Sequence, residues 1–192
     1  MKPTLLTLLL LGISLCAEEP KKAEAIPLTA EKLGKLKEIA FQAAREGDTK
    51  TVEEYLKLGR PIDERNARGD TLLTVAAYYG QPKVVELILK QPKVEVDAKN
   101  KMGLTALTAA AFRGYPDVGE LLVKSGANVN FANDSGQTAL MFAAMTNRTK
   151  MVAFLLKNKA DPDAKDEQGN TARRLAETQG AADVLKLLDA KK

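Results

Sequence analysis

The sequence contains no histidine, no tryptophan and a single cysteine, Cys16. Without histidine the chain cannot form a Ser/His/Asp triad, a Cys/His pair or a histidine-ligated metal site, and it lacks the commonest general base. One cysteine cannot form an intramolecular disulfide or a multi-cysteine zinc site. The phosphate-binding patterns GxGxxG and GxxxxGK[ST] are also missing. These absences favour a protein that is not an enzyme and that uses no cofactor or metal.

The balance of charge limits the classes of partner. The chain has 192 residues, of which 45% are hydrophobic and 28% charged, so one folded domain is expected. It carries 29 basic and 25 acidic residues, a net charge of +4, and the basic residues are scattered among the acidic ones. Because nucleic-acid-binding domains gather their basic residues into one patch, we do not expect a nucleic-acid partner.

A group of acidic residues near the C-terminus, Asp161, Asp163, Asp166 and Glu167, invites comparison with a calcium loop. An EF-hand loop needs glycine at its sixth position and a bidentate glutamate at its twelfth. Counted from Asp161, the sixth residue is Asp166 and the twelfth is Ala172. We therefore interpret this group as a surface turn and predict no metal site.

Residues 1–17 have the layout of a signal peptide. Lys2 precedes a run of about a dozen apolar and small residues, which ends at Cys16 and is followed by two glutamates. A membrane-spanning helix needs ~20 apolar residues, so the run is too short to be a permanent anchor. We predict export, with the periplasm as the first expected location.

Two processing routes are compatible with this signal. Leu15 and Ala17 can serve as the −3 and −1 residues of an ordinary cleavage site after Ala17. Alternatively, Ile13–Cys16 resembles a bacterial lipobox, which would place a lipid on Cys16 and anchor the protein in the envelope. A residue smaller than Leu15 is usual directly before a lipidated cysteine, which favours the soluble form.

Behind the signal, the chain divides into a linker and a repetitive domain. Residues 18–28 contain Pro20 and Pro27 and show no apolar period, so they are predicted to form a linker. In residues 29–192, alanines recur every 33 or 34 residues, and four glycines keep the same spacing, each with a threonine two positions later. The alanines are Ala43, Ala76, Ala110, Ala143 and Ala176; the glycines are Gly69, Gly103, Gly136 and Gly169. The resulting units span about 33–63, 64–97, 98–130, 131–163 and 164–192.

Each unit predicts two short helices. Thr105 can accept a backbone N–H at the start of the first helix, and Gly114 permits the left-handed conformation that ends it. Asn147 takes the place of Gly114 in the next unit, and asparagine is the next best residue there. In the second helix, apolar residues recur at i, i+3 and i+4, as in Val118 and Leu121–Leu122, and are expected to form the core between units.

The middle unit, Gly103–Asn130, resembles an ankyrin repeat. It has the turn glycine, the capping threonine, a pair of small alanines, a second helix and a closing Gly-Ala-Asn-Val-Asn, in that order. The resemblance covers residues ~33 to 189 and implies an all-α solenoid of helix-turn-helix units joined by short hairpin-like turns, with three full repeats between N- and C-terminal caps. The Thr-Pro-Leu-His that many family members carry is replaced here, for example by Thr105-Ala-Leu-Thr108, so hydrogen bonds through that histidine between neighbouring units are absent.

Two departures from the repeat pattern predict differences in local structure. The segment Gly80–Asp97 is one residue longer than its counterparts, and the extra residue lies near Gln91–Lys93, where we expect a wider surface turn. In the last unit, Arg173 and Arg174 stand where apolar residues would be expected. Because a solenoid needs terminal units with a polar outer face, we interpret the last unit as a cap.

The resemblance also implies a partner-binding surface. In ankyrin proteins the turn tips and the exposed ends of the first helices line a concave face that holds partner proteins. The residues that occupy those places here are Tyr78, Tyr79, Lys101, Met102, Leu104, Phe112, Arg113 and Met145. Aromatic side chains and arginine dominate binding hot spots, although one or two of these side chains could instead pack against the neighbouring unit.

The sequence therefore favours a monomeric, non-catalytic module that binds another protein. The alternative is a lipid-anchored structural lipoprotein of the envelope, in which Cys16 carries the lipid and the repeats act as a scaffold. The two differ in the mature N-terminus, and neither identifies the partner.

Overall fold

The computed structural model describes residues 29–190, and ten α-helices occupy this part of the chain. They are α1 (Ala30–Glu46), α2 (Thr49–Lys57), α3 (Leu72–Tyr78), α4 (Pro82–Leu89), α5 (Ala106–Arg113), α6 (Pro116–Lys124), α7 (Ala139–Met145), α8 (Thr149–Lys157), α9 (Ala172–Thr178) and α10 (Ala182–Asp189). Within these residues the only β-type pairing is an isolated bridge between Ala132 and Thr138. The predicted all-α architecture is confirmed.

The helices pack as successive antiparallel pairs in two rows. The first helices of the units, α1, α3, α5, α7 and α9, contact one another in chain order, and the second helices, α2, α4, α6, α8 and α10, form a parallel row behind them. Each pair contacts mainly its neighbours in sequence. This stacking confirms the predicted solenoid of three full repeats flanked by terminal units.

Small side chains set the distance between the first helices. The alanine pairs Ala76–Ala77, Ala110–Ala111 and Ala143–Ala144 are fully buried, with no exposed surface. An alanine at these positions lets neighbouring helices approach closely without a cavity, whereas the larger Val118, Leu122 and Leu155 fill the space between the two rows. The 33-residue periodicity of alanine is therefore a packing requirement.

The helix ends follow the predicted pattern. Thr71, Thr105, Thr138 and Thr171 each accept a hydrogen bond from the backbone N–H three residues later. Thr105 and Thr108 form a reciprocal capping box, which satisfies two of the free N–H groups at the start of α5. Gly114 has φ 83° and Asn147 has φ 54°, so both adopt the predicted left-handed conformation.

The first unit differs from the repeats in the length of its first helix. Helix α1 has 17 residues, against seven or eight in the first helices of the other units, and it begins after Thr29, whose hydroxyl accepts from the N–H of Lys32. Its buried side is provided by Leu36, Ala40 and Phe41. Helix α1 as a whole packs against α2 and α3, and Leu36 of the added turns belongs to the hydrophobic core.

The longer turn and the last unit each have a structural explanation. The extra residue falls between the end of α4 at Leu89 and Lys93, which adopts φ 63° where Gly126 has φ 92° in the next unit. Arg173 forms ion pairs with Glu177 and with Asp189, so it joins α9 to α10 instead of entering the core. The polar residue expected of a cap thus also links the two helices of the final unit.

None of the helices in residues 29–190 is long and apolar enough to cross a membrane. The predicted signal, the linker and Cys16 lie outside the described residues.

Candidate binding cleft

A cleft of about 530 Å³ runs along the row of first helices, beneath the tips of the turns that join the units. We call it the aromatic cleft. The turns contribute Arg68, Asp70, Asn100 and Met102, and the helices contribute Val75, Tyr78, Ala109, Phe112 and Phe142. Its size is within the range of small-ligand and peptide-anchor pockets.

One amide or carboxylate side chain braces the turn of each unit from the second to the last, and three of these turns border the cleft. The Oδ1 atom of Asn100 accepts from the N–H groups of Met102 and Leu104, both at 2.9 Å. Asn66, Asn133 and Asp166 do the same with the N–H groups two and four residues later. Sequence reasoning missed this set, although its spacing of 34, 33 and 33 residues was a usable signal.

The turns are also joined to one another. Asn100 donates from Nδ2 to Oδ1 of Asp70 at 2.6 Å, and the backbone N–H of Lys101 donates to the carbonyl of Arg68 at 3.2 Å. Lys101 additionally donates from Nζ to the carbonyl of Ala67 at 2.9 Å. The walls of the cleft are therefore hydrogen-bonded across repeat boundaries, which fixes the positions of the side chains that they carry.

Four aromatic rings form a continuous row on the helix side. Tyr78 stacks on Phe112 with ring centroids 6.4 Å apart and an interplanar angle of 15°. Phe112 meets Phe142 edge to face at 6.4 Å, and Tyr78 meets Tyr79 edge to face at 5.1 Å. The row crosses three repeats, and these offset and edge-on arrangements are the favoured geometries for aromatic pairs.

Two arginines lie on the faces of these rings. The guanidinium carbon of Arg45 is 5.0 Å from the ring centroid of Tyr79, and that of Arg113 is 5.1 Å from the centroid of Tyr78. Both distances are within the range of a cation–π interaction. Arg45 is the counterpart of Tyr78 one repeat earlier, so the row of first-helix ends begins with a cation and continues with rings.

The structure brings together most, but not all, of the residues predicted for the binding surface. Tyr78, Tyr79, Met102, Leu104 and Phe112 line the aromatic cleft. The remaining predicted residues do not line it: Lys101 donates to the carbonyl of Ala67, Arg113 lies over Tyr78, and Met145 is half-buried one repeat beyond Phe112.

Among the residues that line the cleft, sequence reasoning also missed Arg45 and Phe142. Arg45 lies in the first unit, which lacks the Gly-x-Thr turn. Phe142 takes the position held by Val75 and Ala109 in the preceding repeats, where the side chains are smaller. Comparison of equivalent positions along the repeat would have found both residues.

Asp166 differs from its counterparts because it can titrate. Burial alone would raise its pKa, but hydrogen bonds from the side chain and backbone of Asn170, the N–H of Gln168 and the charge of Arg174 together lower the pKa below the ordinary 3.8. A lowered pKa in the folded state means that the carboxylate stabilises the fold above about pH 4 and that this contribution is lost as the pH falls through the folded-state pKa.

We expect Asp166→Asn to reduce this acid sensitivity. An asparagine can keep the bonds from the N–H groups of residues 168 and 170, as Asn133 does in its own turn. Urea unfolding at pH 7, 4 and 3 gives the free energy of unfolding of the wild type and the variant. The wild-type value minus the variant value should fall as the pH falls. A difference that stays constant over this range would contradict the assignment.

Groups of three or more histidine, cysteine, aspartate or glutamate side chains that could hold a metal ion are absent from residues 29–190. The acidic group near the C-terminus instead serves turn geometry. Asp166 braces its turn as described, and Asp161 accepts at Oδ1 from the N–H of Asp163 at 2.9 Å.

Comparison with known proteins agrees with this architecture. The family model described as "Ankyrin repeats (3 copies)" matches residues 40–133 and 121–192. A curated Pseudomonas aeruginosa protein, named for its ankyrin repeats, is 40% identical over 47 residues. That match covers 24% of this chain and 28% of the relative, so it concerns little more than one repeat.

Proposed function

This chain belongs to the ankyrin repeat family, and from that premise we propose that it binds a partner protein in the aromatic cleft and performs no catalysis. Ankyrin repeats are generally protein–protein interaction modules, and the family is typically non-catalytic. What we propose for this chain is the binding site, the aromatic cleft, and the residues that line it. We further propose that the chain acts as a monomer.

One observation carries the proposal. In residues 29–190, the exposed large hydrophobic side chains are Tyr79, at 36% exposure, and Met102, at 73%, and both line the aromatic cleft. Exposed apolar side chains that cluster in a concave region, next to half-buried rings, are typical of an interaction site. On the opposite side, the second helices expose Glu–Lys pairs at i and i+4, which need no partner.

The test compares capture by matched double variants. The mature wild type, Tyr79→Ser/Met102→Ser and the second-helix control Lys83→Ser/Lys150→Ser are used as bait in envelope extract of the native cell. Met102, Lys83 and Lys150 are exposed, so their substitutions should each change stability by no more than roughly 0.5 kcal/mol. Tyr79 also contacts Tyr78 and Arg45, so urea unfolding checks that both double variants remain folded. We expect the cleft variant to recover about fivefold less of the bound protein, and the control to match the wild type. Equal recovery by all three baits would overturn the proposal.

We propose also that the protein is exported and works in the periplasm. The support is the signal-like layout of residues 1–17, followed by a proline-containing linker. An envelope-anchored form with a lipid on Cys16 is the second candidate.

The mature N-terminus separates the two forms. We expect the chain purified from its native cell to begin at Glu18, with the mass of an unmodified polypeptide. A blocked N-terminus, together with the added mass of acyl chains on Cys16, would instead assign the lipoprotein. An intact Met1 in the native protein would contradict export by either route.

A further inference from the structure

We infer that the aromatic cleft recognises an acidic peptide segment, one that brings carboxylate groups on either side of an apolar side chain. This inference rests on the proposed function, because it names the chemistry of the partner at that same cleft. It is carried by an imbalance of charge around the cleft and by the shape of the aromatic row.

Three arginines at the cleft have no carboxylate partner. Arg45 and Arg68 line it, Arg113 lies over one of its rings, and none of them takes part in an ion pair in the described structure. The acidic residue in the lining is Asp70, and its oxygens accept hydrogen bonds from the amides of Asn66 and Asn100. The cleft therefore has an excess of positive charge, because two arginines in its lining and Arg113 beside it face a single carboxylate and form no ion pair with it.

The way two of these arginines are held suits them to bind carboxylates. Arg45 and Arg113 lie over tyrosine rings with the guanidinium carbon 5.0 and 5.1 Å from the ring centroid, and the N–H donors that do not point at the ring are left for the two oxygens of a carboxylate. The contact with the ring also restricts the arginine side chain before a ligand arrives, which reduces the entropy lost on binding.

The aromatic row accounts for the apolar part of the ligand. Tyr78, Phe112 and Phe142 form an apolar floor across three repeats, bounded by Met102 and Leu104. A row of rings with arginines beside it could also stack nucleic-acid bases. A nucleic acid, however, needs basic residues along a continuous backbone track, whereas here Asp70 interrupts the wall and the basic residues elsewhere alternate with acidic ones. A short acidic segment fits the cleft better.

The experiment uses fluorescein-labelled probes and the mature full chain. Three peptides of about ten residues are compared by fluorescence anisotropy. The first has glutamates flanking a central Phe-Leu pair, the second has lysine in place of each glutamate, and the third has glutamates flanking Gly-Ser. A single-stranded thymidine oligonucleotide of similar length serves as the nucleic-acid probe. We expect the first peptide to bind at least tenfold tighter than any other probe and to weaken as salt is raised.

Variants then locate the binding. Arg45→Gln/Arg68→Gln should weaken binding of the first peptide at least tenfold, whereas the second-helix control Lys83→Gln/Lys150→Gln, with the same change in net charge, should leave it unchanged. Arg113→Gln is measured separately, and its fold is checked by circular dichroism. Equal binding of the acidic and basic peptides, preference for the oligonucleotide, or equal effects of both double variants would overturn the inference.

Two further results would identify a different occupant of the cleft. In one control, Glu18, Glu19 and Glu24 of the chain are changed to glutamine. If the first peptide binds only to this variant, the cleft is assigned to the chain's own N-terminal segment and the inference is overturned. A cleft-dependent dimer in sedimentation experiments would assign it to a second copy, with the same consequence. The proposed function is judged separately by the capture experiment: capture that depends on Tyr79 and Met102, without binding of acidic peptide, would retain the cleft and reject only the chemistry inferred here.

Discussion

Replacing Gly103 by alanine is expected to lower the free energy of unfolding by about 3 kcal/mol. Gly103 has φ 73°, a conformation that costs an alanine roughly 1–2 kcal/mol. A Cβ atom there would also lie 2.9 Å from Cβ of Asn133, on the turn of the next repeat. Because Asn133 is fixed by its own turn, relief requires the two turns to separate, and overpacking of this kind typically costs ~1–3 kcal/mol.

The same repeat provides a control for backbone strain alone. Gly126 also has positive φ, 92°, but a Cβ atom there would meet nothing within 4 Å. Gly126→Ala should therefore cost only the conformational part, about 1–2 kcal/mol. Urea unfolding gives the free energy of unfolding of both variants. The difference between their losses measures how tightly one turn packs on the next. Equal losses of stability would show that the turns do not pack as tightly as described.

Replacing Phe112 by alanine is expected to weaken binding of the captured partner at least ~10-fold, which corresponds to about 1.4 kcal/mol or more. Phe112 occupies the middle of the aromatic row, and truncation of a central aromatic anchor commonly costs ~2 kcal/mol of binding energy. Since the ring is half-buried and contacts Tyr78 and Phe142, we expect a loss of stability of about 1 kcal/mol as well.

A second phenylalanine separates binding from packing. Phe154, on α8, is also half-buried, but it packs against the core and lies close to Gly119 of the preceding repeat. Phe154→Ala should cost about 2 kcal/mol of stability and leave affinity for the partner unchanged. Affinity measured by titration and urea midpoints for both variants distinguish a binding role from a packing role. A Phe112→Ala variant that behaves like Phe154→Ala would show that Phe112 is a packing residue.

The fold could be predicted because one short-range rule repeats along the chain. The threonine caps, the left-handed Gly114 and the buried alanine pairs all depend on residues a few positions apart, and each occurs again after 33 or 34 residues. The bracing role of Asn66, Asn100, Asn133 and Asp166 also depends on short-range bonds. It was missed because sequence reasoning followed the turn glycines and the capping threonines and did not compare the residue three positions before each glycine.

The cleft could be predicted only in part, because it depends on contacts between repeats. Sequence position placed Tyr78, Tyr79 and Phe112 on the same face, but nothing in the spacing shows that Arg45 lies over Tyr79. Likewise, Lys101 was expected to face a partner, and the structure shows that its ammonium group bonds to the preceding turn. The direction of a long side chain is set by the acceptors around it, which belong to another repeat.

Photo-crosslinking in living cells tests the central claim most directly. A benzophenone amino acid is introduced at position 102, at the edge of the aromatic cleft, or at position 83, on the exposed side of α4. If the cleft holds a partner protein, illumination should give a covalent adduct of defined mass from position 102, and no such adduct from position 83. Adducts from position 83 alone, or the same adducts from both positions, would contradict the proposed binding site.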